Sequence, residues 1–222
     1  MVITHVCIIG ETVSGTCFVH QLITKNTRLK VTQEYGHRHL FQDLTIIRRE
    51  DTSHILFVYI TREIIEWLQS FMANTFHADP AIRNCFDFSK FIRLEWKCTL
   101  DNTREYGSEM MFKRDPETGK RFQNVIKLRT ANIKHTMSIR NLVENFVQVE
   151  YEDARDAPED FIRGLATMFG FPRNKTFVPV NTVRGRGSQK YVRKTNPEII
   201  DEDARYTLDT CDHEMENMIG YL

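Results

Sequence analysis

Residues 6–19, Val-Cys-Ile-Ile-Gly-Glu-Thr-Val-Ser-Gly-Thr-Cys-Phe-Val, constrain the fold of this chain more than any other stretch. An apolar run meets a loop of small residues and then a helical pattern, which reads as strand, loop, helix. A tight loop that opens a helix turns several backbone N–H groups toward one point. The positive end of the helix dipole lies behind them, so the arrangement suits a phosphate. Gly10, Ser14 and Gly15 allow close approach. Gly15 follows Gly10 at the spacing of the nucleotide-hydrolase loop, but Thr16 stands where that pattern needs lysine, which disfavours an ordinary ATPase or GTPase. An incidental turn between a buried strand and a helix fits the same letters.

The chain then alternates. Residues 2–9 are expected as strand, 16–25 as helix and 29–32 as a second short strand. Residues 55–60 form the clearest buried strand, and Ile64, Ile65, Leu68, Phe71 and Met72 repeat at helical spacing just after it. Such alternation predicts an α/β fold with a central, mainly parallel sheet flanked by helices. Residues 74–121 lack a clean period around the turn-forming Asp115-Pro116-Glu117-Thr118-Gly119, which predicts an irregular insertion with short helices. Helix is expected within 124–142, strand over 146–151, and helix over 158–169, with Pro158 in its first turn and Gly170 as its stop. Loop follows to Asp201, where a last helix starts. At 222 residues, the chain is expected to be one domain over 1–222 with a substantial core.

Lys plus Arg number 30 and Asp plus Glu 30, so no global field draws the chain to nucleic acid or to an anionic membrane. Its apolar runs are too short to cross a bilayer, and the N-terminus lacks the pattern of a signal peptide, so a cytoplasmic location is expected. Cys7, Cys17, Cys85, Cys98 and Cys211 are scattered, with no Cys-x-x-Cys pair; reduced thiols and no metal site are the reading.

Four features bear on chemistry. Arg62 and Ser70 stand eight positions apart around the second strand-to-helix junction. On one helix they would be about 12 Å apart, too far for one small anion. With Arg62 on the loop, guanidinium and hydroxyl can grip one phosphate; the alternative is a solvated arginine and an unrelated serine. His37-Arg38-His39 offers a proton acceptor beside a cation, or else surface histidines. Arg184-Gly185-Arg186-Gly187-Ser188-Gln189-Lys190 is a glycine-spaced basic loop that can wrap an anion, or a solvated loop balanced by the acidic tail. Tyr151-Glu152-Asp153 closes a strand, its tyrosine able to face a base or to fill the core.

In this order the pieces resemble the sulfotransferases that use 3′-phosphoadenosine 5′-phosphosulfate, over nearly the whole chain. Val13-Ser14-Gly15-Thr16-Cys17-Phe18 takes the place of their Lys-Ser-Gly-Thr-Thr-Trp loop, and Arg62 through Ser70 is similar to their arginine and serine pair. His37-Arg38-His39-Leu40 resembles their Lys-Thr-His-Leu, Tyr151-Glu152-Asp153 their Tyr-Glu-Asp, and Arg184-Gly185 their late basic loop. Phe-Lys-Arg-Asp, Lys-Leu-Arg and Gly-Tyr-Leu segments look most like sulfotransferase-like proteins of large DNA viruses.

The resemblance implies a P-loop-containing sulfotransferase-like fold. It also implies sulfuryl transfer from that nucleotide to a hydroxyl or amine, leaving adenosine 3′,5′-bisphosphate. Ser14, Gly15, Thr16 and Cys17 would hold the 5′ end, Arg62 and Ser70 the 3′-phosphate, Phe18 and Tyr151 the adenine. Arg184 and Gly185, in a loop at about 182–194, would close over it. His39 would be the general base, with Glu34 as substitute, assisted by Arg38 and His37, and no metal is required. The acceptor (carbohydrate, tyrosyl or small alcohol) is expected against residues 74–121; the reading leaves it unnamed, as it does the oligomeric state. Val13 departs from the family, which carries lysine or arginine there. Two alternatives follow: a nucleotide-binding protein that has lost catalysis, and a small-molecule or nucleotide kinase of the P-loop type.

Overall fold

The computed structural model describes residues 2–39, 41–75, 77–99, 113–181 and 199–222. The basic loop with Arg184 and Gly185, Leu40, and residues 100–112 of the expected insertion lie outside them. The element order is β1 (His5–Gly10), α1 (Thr16–Asn26), β2 (Lys30–Thr32), α2 (Leu44–Arg49), β3 (Ile55–Thr61), α3 (Ile64–Met72), α4 (Pro80–Arg83), α5 (Phe88–Arg93), α6 (Val125–Ile139), β4 (Phe146–Glu150), α7 (Tyr151–Asp156), α8 (Pro158–Phe169), α9 (Asp201–Thr210) and α10 (His213–Met218). Chain contacts gather these into two units. The first holds Met1–Arg38, Gln42–Arg62 and Thr136–Thr195, and the second His39–Phe41, Glu63–His135 and Asn196–Leu222.

The first unit carries a four-stranded, all-parallel sheet in the order β2-β1-β3-β4. β1 and β3 are central, with Cys7 opposite Phe57 and Gly10 opposite Ile60, and β3 is buried along its length. That burial on both faces explains why Ile55-Leu56-Phe57-Val58-Tyr59-Ile60 is continuously apolar rather than alternating. On one face Val6, Ile8, Leu56, Val58 and Ile60 pack with Val19, Leu22 and Ile23 of α1, Tyr151 and Ala154 of α7, and Ile162 and Leu165 of α8. Phe57 meets the buried Tyr35, their ring centroids 5.5 Å apart.

Several boundaries differ from expectation. Residues 2–4 lie outside β1, and Tyr151 opens α7 instead of ending β4. α2 lay in a stretch assigned no element; Asp43 caps it by accepting from the Thr45 and Ile46 N–H groups. The tail is two helices, because the chain turns extended at Cys211 and Asp212 recaps it by accepting from the Met215 N–H.

In the second unit, α3 turns Trp67 and Phe71 inward, where Phe71 meets Phe91 of α5 and Trp96. Arg129 of α6 is fully buried and donates to both carboxylate oxygens of Glu216 on α10, at 2.6 and 2.8 Å, with its guanidinium 5.1 Å from the Trp67 ring centre. Arg93 binds Asp203 at 2.7 Å and stacks on Tyr206, tying α9 to α5. Among the described residues no helix is long and apolar enough to cross a membrane.

Candidate functional site

The sheet order places a switch point in the first unit. β1 leads through α1 to β2 on one side, while the strand beyond β3 is β4 on the other, so the chain leaves the carboxyl ends of β1 and β3 in opposite directions. Open α/β sheets bind ligands at such a point. The loop at residues 11–15 follows β1 there, and Arg62 follows β3.

The loop is tightly built. Gly10 has no room for a side chain: a Cβ there would lie 2.7 Å from Ser14 Oγ and 2.9 Å from the Ile60 carbonyl. The Ser14 N–H donates to the Glu11 carbonyl at 3.1 Å. Val13 has φ 61°, a left-handed conformation that costs a β-branched residue roughly 1–2 kcal/mol, and strain of this kind collects at functional sites. Gly15 has φ 99° and is the N-cap of α1. Its missing Cβ matters twice, since a Cβ would also fall 2.1 Å from Tyr151 Cδ2.

From Gly15 the helix begins with Thr16, Cys17 and Phe18; the Phe18 N–H donates to the Gly15 carbonyl at 2.9 Å, while a helix gives its first N–H groups no acceptor of the ordinary i−4 kind. Ser14 is fully buried, and its Oγ has no hydrogen-bond partner among the described residues. A buried hydroxyl in that state signals a partner still to come.

Arg62 is brought to this loop. Its Nη1 donates to the Val13 carbonyl at 3.3 Å, and its guanidinium lies 5.0 Å from the Tyr151 ring centre. The parallel pairing of Gly10 with Ile60 causes this, because it sets the two strand ends side by side. A third segment joins them: the Gly10 N–H donates to the Arg38 carbonyl at 3.0 Å, so the His37-Arg38 turn is fastened to the base of the loop. Arg38 Nε is buried with no partner among the described residues. His37 and Arg38 are half-buried, while Glu34 is exposed.

The aromatic pair divides. Tyr151 is buried, with Gly15 and the Arg62 guanidinium against its ring. Phe18 is half-buried and lies edge-on to Tyr151, the ring centroids 6.2 Å apart. Cys17 is exposed, whereas burial pushes the Cys7 thiol up to about 12.

His39 and Ser70 belong to the second unit. The His39 carbonyl accepts from Lys113 Nζ at 2.7 Å; the same ammonium donates to Asn132 Oδ1 at 2.7 Å and lies 4.9 Å from the Phe41 ring centre. Ser70 is half-buried on α3, and its carbonyl accepts from Asn74. Among the described residues no group of His, Cys, Asp and Glu is placed to hold a metal ion.

Sequence reading passed over two residues. Glu11 is 2% exposed within the loop, where a carboxylate opposes an anion unless cations answer it. Lys113 gave no signal because its partners lie at distant positions along the chain. No protein-family model and no curated protein matches this chain.

Proposed function

We propose that the chain binds an adenine nucleotide with phosphates at its 5′ and 3′ ends and acts as a sulfotransferase toward a hydroxyl or amine. The observation that carries this reading is the hydrogen bond from Arg62 to the Val13 carbonyl. It sets a cation from the end of β3 beside a loop whose N–H groups open α1. The resemblance assigns these same two pieces to the two phosphate ends of one nucleotide. The loop fits such a ligand chemically: Ser14 Oγ is buried without a partner, and Gly15 keeps the backbone bare.

The nucleotide supplies an activated sulfuryl group. Ser14, Gly15, Thr16 and Cys17 bind its 5′ end through backbone N–H groups and hydroxyls, and Arg62, with Ser70, binds the 3′-phosphate. Phe18 packs on the base, while Tyr151 holds Gly15 and Arg62 in place. His39 accepts the proton from the acceptor at its ring nitrogen. Arg38 takes the part of the cation that Val13 lacks, offsetting Glu11 and the charge released at the leaving phosphate; loss of one such group costs on the order of 10²–10³ in rate.

The test is thermal stabilisation by adenosine 3′,5′-bisphosphate against ATP with magnesium. A ligand present at 100 times its Kd adds about 2.7 kcal/mol to folding stability. A shift with the bisphosphate that Arg62→Ala and Ser70→Ala abolish supports the reading; a preference for ATP with magnesium refutes it in favour of a kinase.

Val13 favours a second reading, binding without turnover. Labelled sulfate transfer to carbohydrate, tyrosyl and alcohol acceptors separates the two. Turnover that falls in Arg38→Ala and His39→Ala supports the enzyme. Transfer detected only after Val13→Lys supports the binding protein.

A further inference from the structure

Outside the nucleotide site, the first unit has a groove of about 410 Å³ along β4, lined by Val147, Val149 and Glu150 of the strand and by Phe161, Gly164 and Met168 of α8. The two edges of the sheet differ. β2 is three residues long and carries the exposed Lys30, both of which discourage another strand from pairing. β4 is five residues, Phe-Val-Gln-Val-Glu, with neither lysine nor proline, and it is the last strand of the sheet among the described residues.

The side of α8 above it holds Ala157, Asp160, Phe161, Gly164, Leu165 and Met168. These recur at three- and four-residue steps and so form one stripe, which meets the Ile162 and Ala166 stripe that fills the core at the buried Leu165. Met168 is 68% exposed. Gly164 sits in mid-helix, where glycine is a poor choice, and a Cβ there would meet nothing within 4 Å. No neighbour among the described residues therefore requires a glycine at that position, whereas a second backbone laid in the groove would.

The charges around the groove are of one sign. Glu150, Asp153 and Asp160 line it, and among the described residues Asp160 has a cation in reach, the exposed Arg163 at 2.6 Å. Burial, then the neighbouring Asp153 and Glu152, raise the Glu150 carboxyl above its ordinary value, so a cationic side chain would relieve crowded negative charge. A second copy of this chain would bring the same carboxylates into the same groove, which argues against self-association there.

We propose that the β4 edge and the α8 stripe receive an extended basic segment of a partner protein, added as a further strand. Its main chain pairs with β4 and passes over Gly164, its apolar side chains rest on Phe161 and Met168, and its lysines or arginines meet Glu150 and Asp153.

Fluorescence anisotropy with labelled ten-residue peptides tests this, one alternating valine with lysine and the other valine with glutamate. The basic peptide is expected to bind at least tenfold tighter than the acidic one. Gly164→Leu is expected to weaken it tenfold or more while the melting temperature holds or rises, because leucine is the better helix former and meets open space. Glu150→Lys with Asp153→Lys is expected to invert the preference. Equal binding of both peptides, or binding untouched by Gly164→Leu, overturns the proposal. A dimer in sedimentation that Gly164→Leu disperses also overturns it, by assigning the groove to a second copy.

Discussion

Gly15→Ala probes the joint between the loop at residues 11–15 and the Tyr151 ring beneath it. Two separate costs arise. The backbone at φ 99° is left-handed, which penalises any residue with a Cβ by about 1–2 kcal/mol. The new methyl would also sit 2.1 and 2.7 Å from two atoms of the Tyr151 ring. That ring is 6% exposed, with the Arg62 guanidinium 5.0 Å from its centre and Phe18 edge-on to it, so it has little room to retreat, and overpacking of this kind costs about 1–3 kcal/mol. The sum is about 2–5 kcal/mol, or about 4–20 °C in melting temperature for a chain of this size. Urea unfolding should be followed by circular dichroism, since both tryptophans, Trp67 and Trp96, lie in the second unit. A double-mutant cycle with Tyr151→Leu isolates the clash: the double variant should be more stable than the sum of the singles predicts by about 1–3 kcal/mol. Additivity within about 0.5 kcal/mol would refute the packing argument and return Tyr151 to the role of an adenine platform.

The buried Arg129–Glu216 pair predicts that Glu216→Gln costs about 3–5 kcal/mol in urea unfolding, whereas Arg129→Met with Glu216→Leu recovers most of it, because no lone charge is left inside. Cys17 is exposed and the other four cysteines are buried, so one thiol of five should react rapidly with a chromogenic disulfide, and adenosine 3′,5′-bisphosphate should slow it. Protection of Cys17 by ATP with magnesium alone would count against the sulfotransferase reading. The raised Glu150 carboxyl means that folding favours its protonated form. The stability this contributes is whole below the ordinary value of 4.5 and is lost as pH rises through the higher folded value. Glu150→Gln should therefore melt higher than the parent at pH 7, with the difference closing toward pH 4.5.

Parts of this site were legible because their causes are local. The stop of α8 at Gly170 needs only a residue able to adopt φ 66°, and the N-terminal start of α1 needs only a bare Gly15 after small residues. Arg62 and Gly15 were singled out for the same reason, each standing at a strand-to-helix junction. α2 was missed because six residues are too few to show a period, and its Asp43 cap is persuasive only once the helix is known. Tyr151 was misjudged because a strand end and a helix start look alike in Val-Glu-Tyr-Glu-Asp. The ring's place against Gly15 is a contact between distant positions, which those letters do not carry.

The order of apolar and small residues alone determined that β1, α1 and β3 would form and that a tight turn of small residues would follow β1, since periodicity and loop chemistry act within a few residues. Tertiary structure decided who stands around that turn. Pairing of Gly10 with Ile60 carried Arg62 to a carbonyl 49 positions away in the chain, and the return of the chain at β4 slid Tyr151 under Gly15. Register between strands depends on how whole faces bury against helices, and that is a property of the assembled sheet, which no single stretch of residues contains.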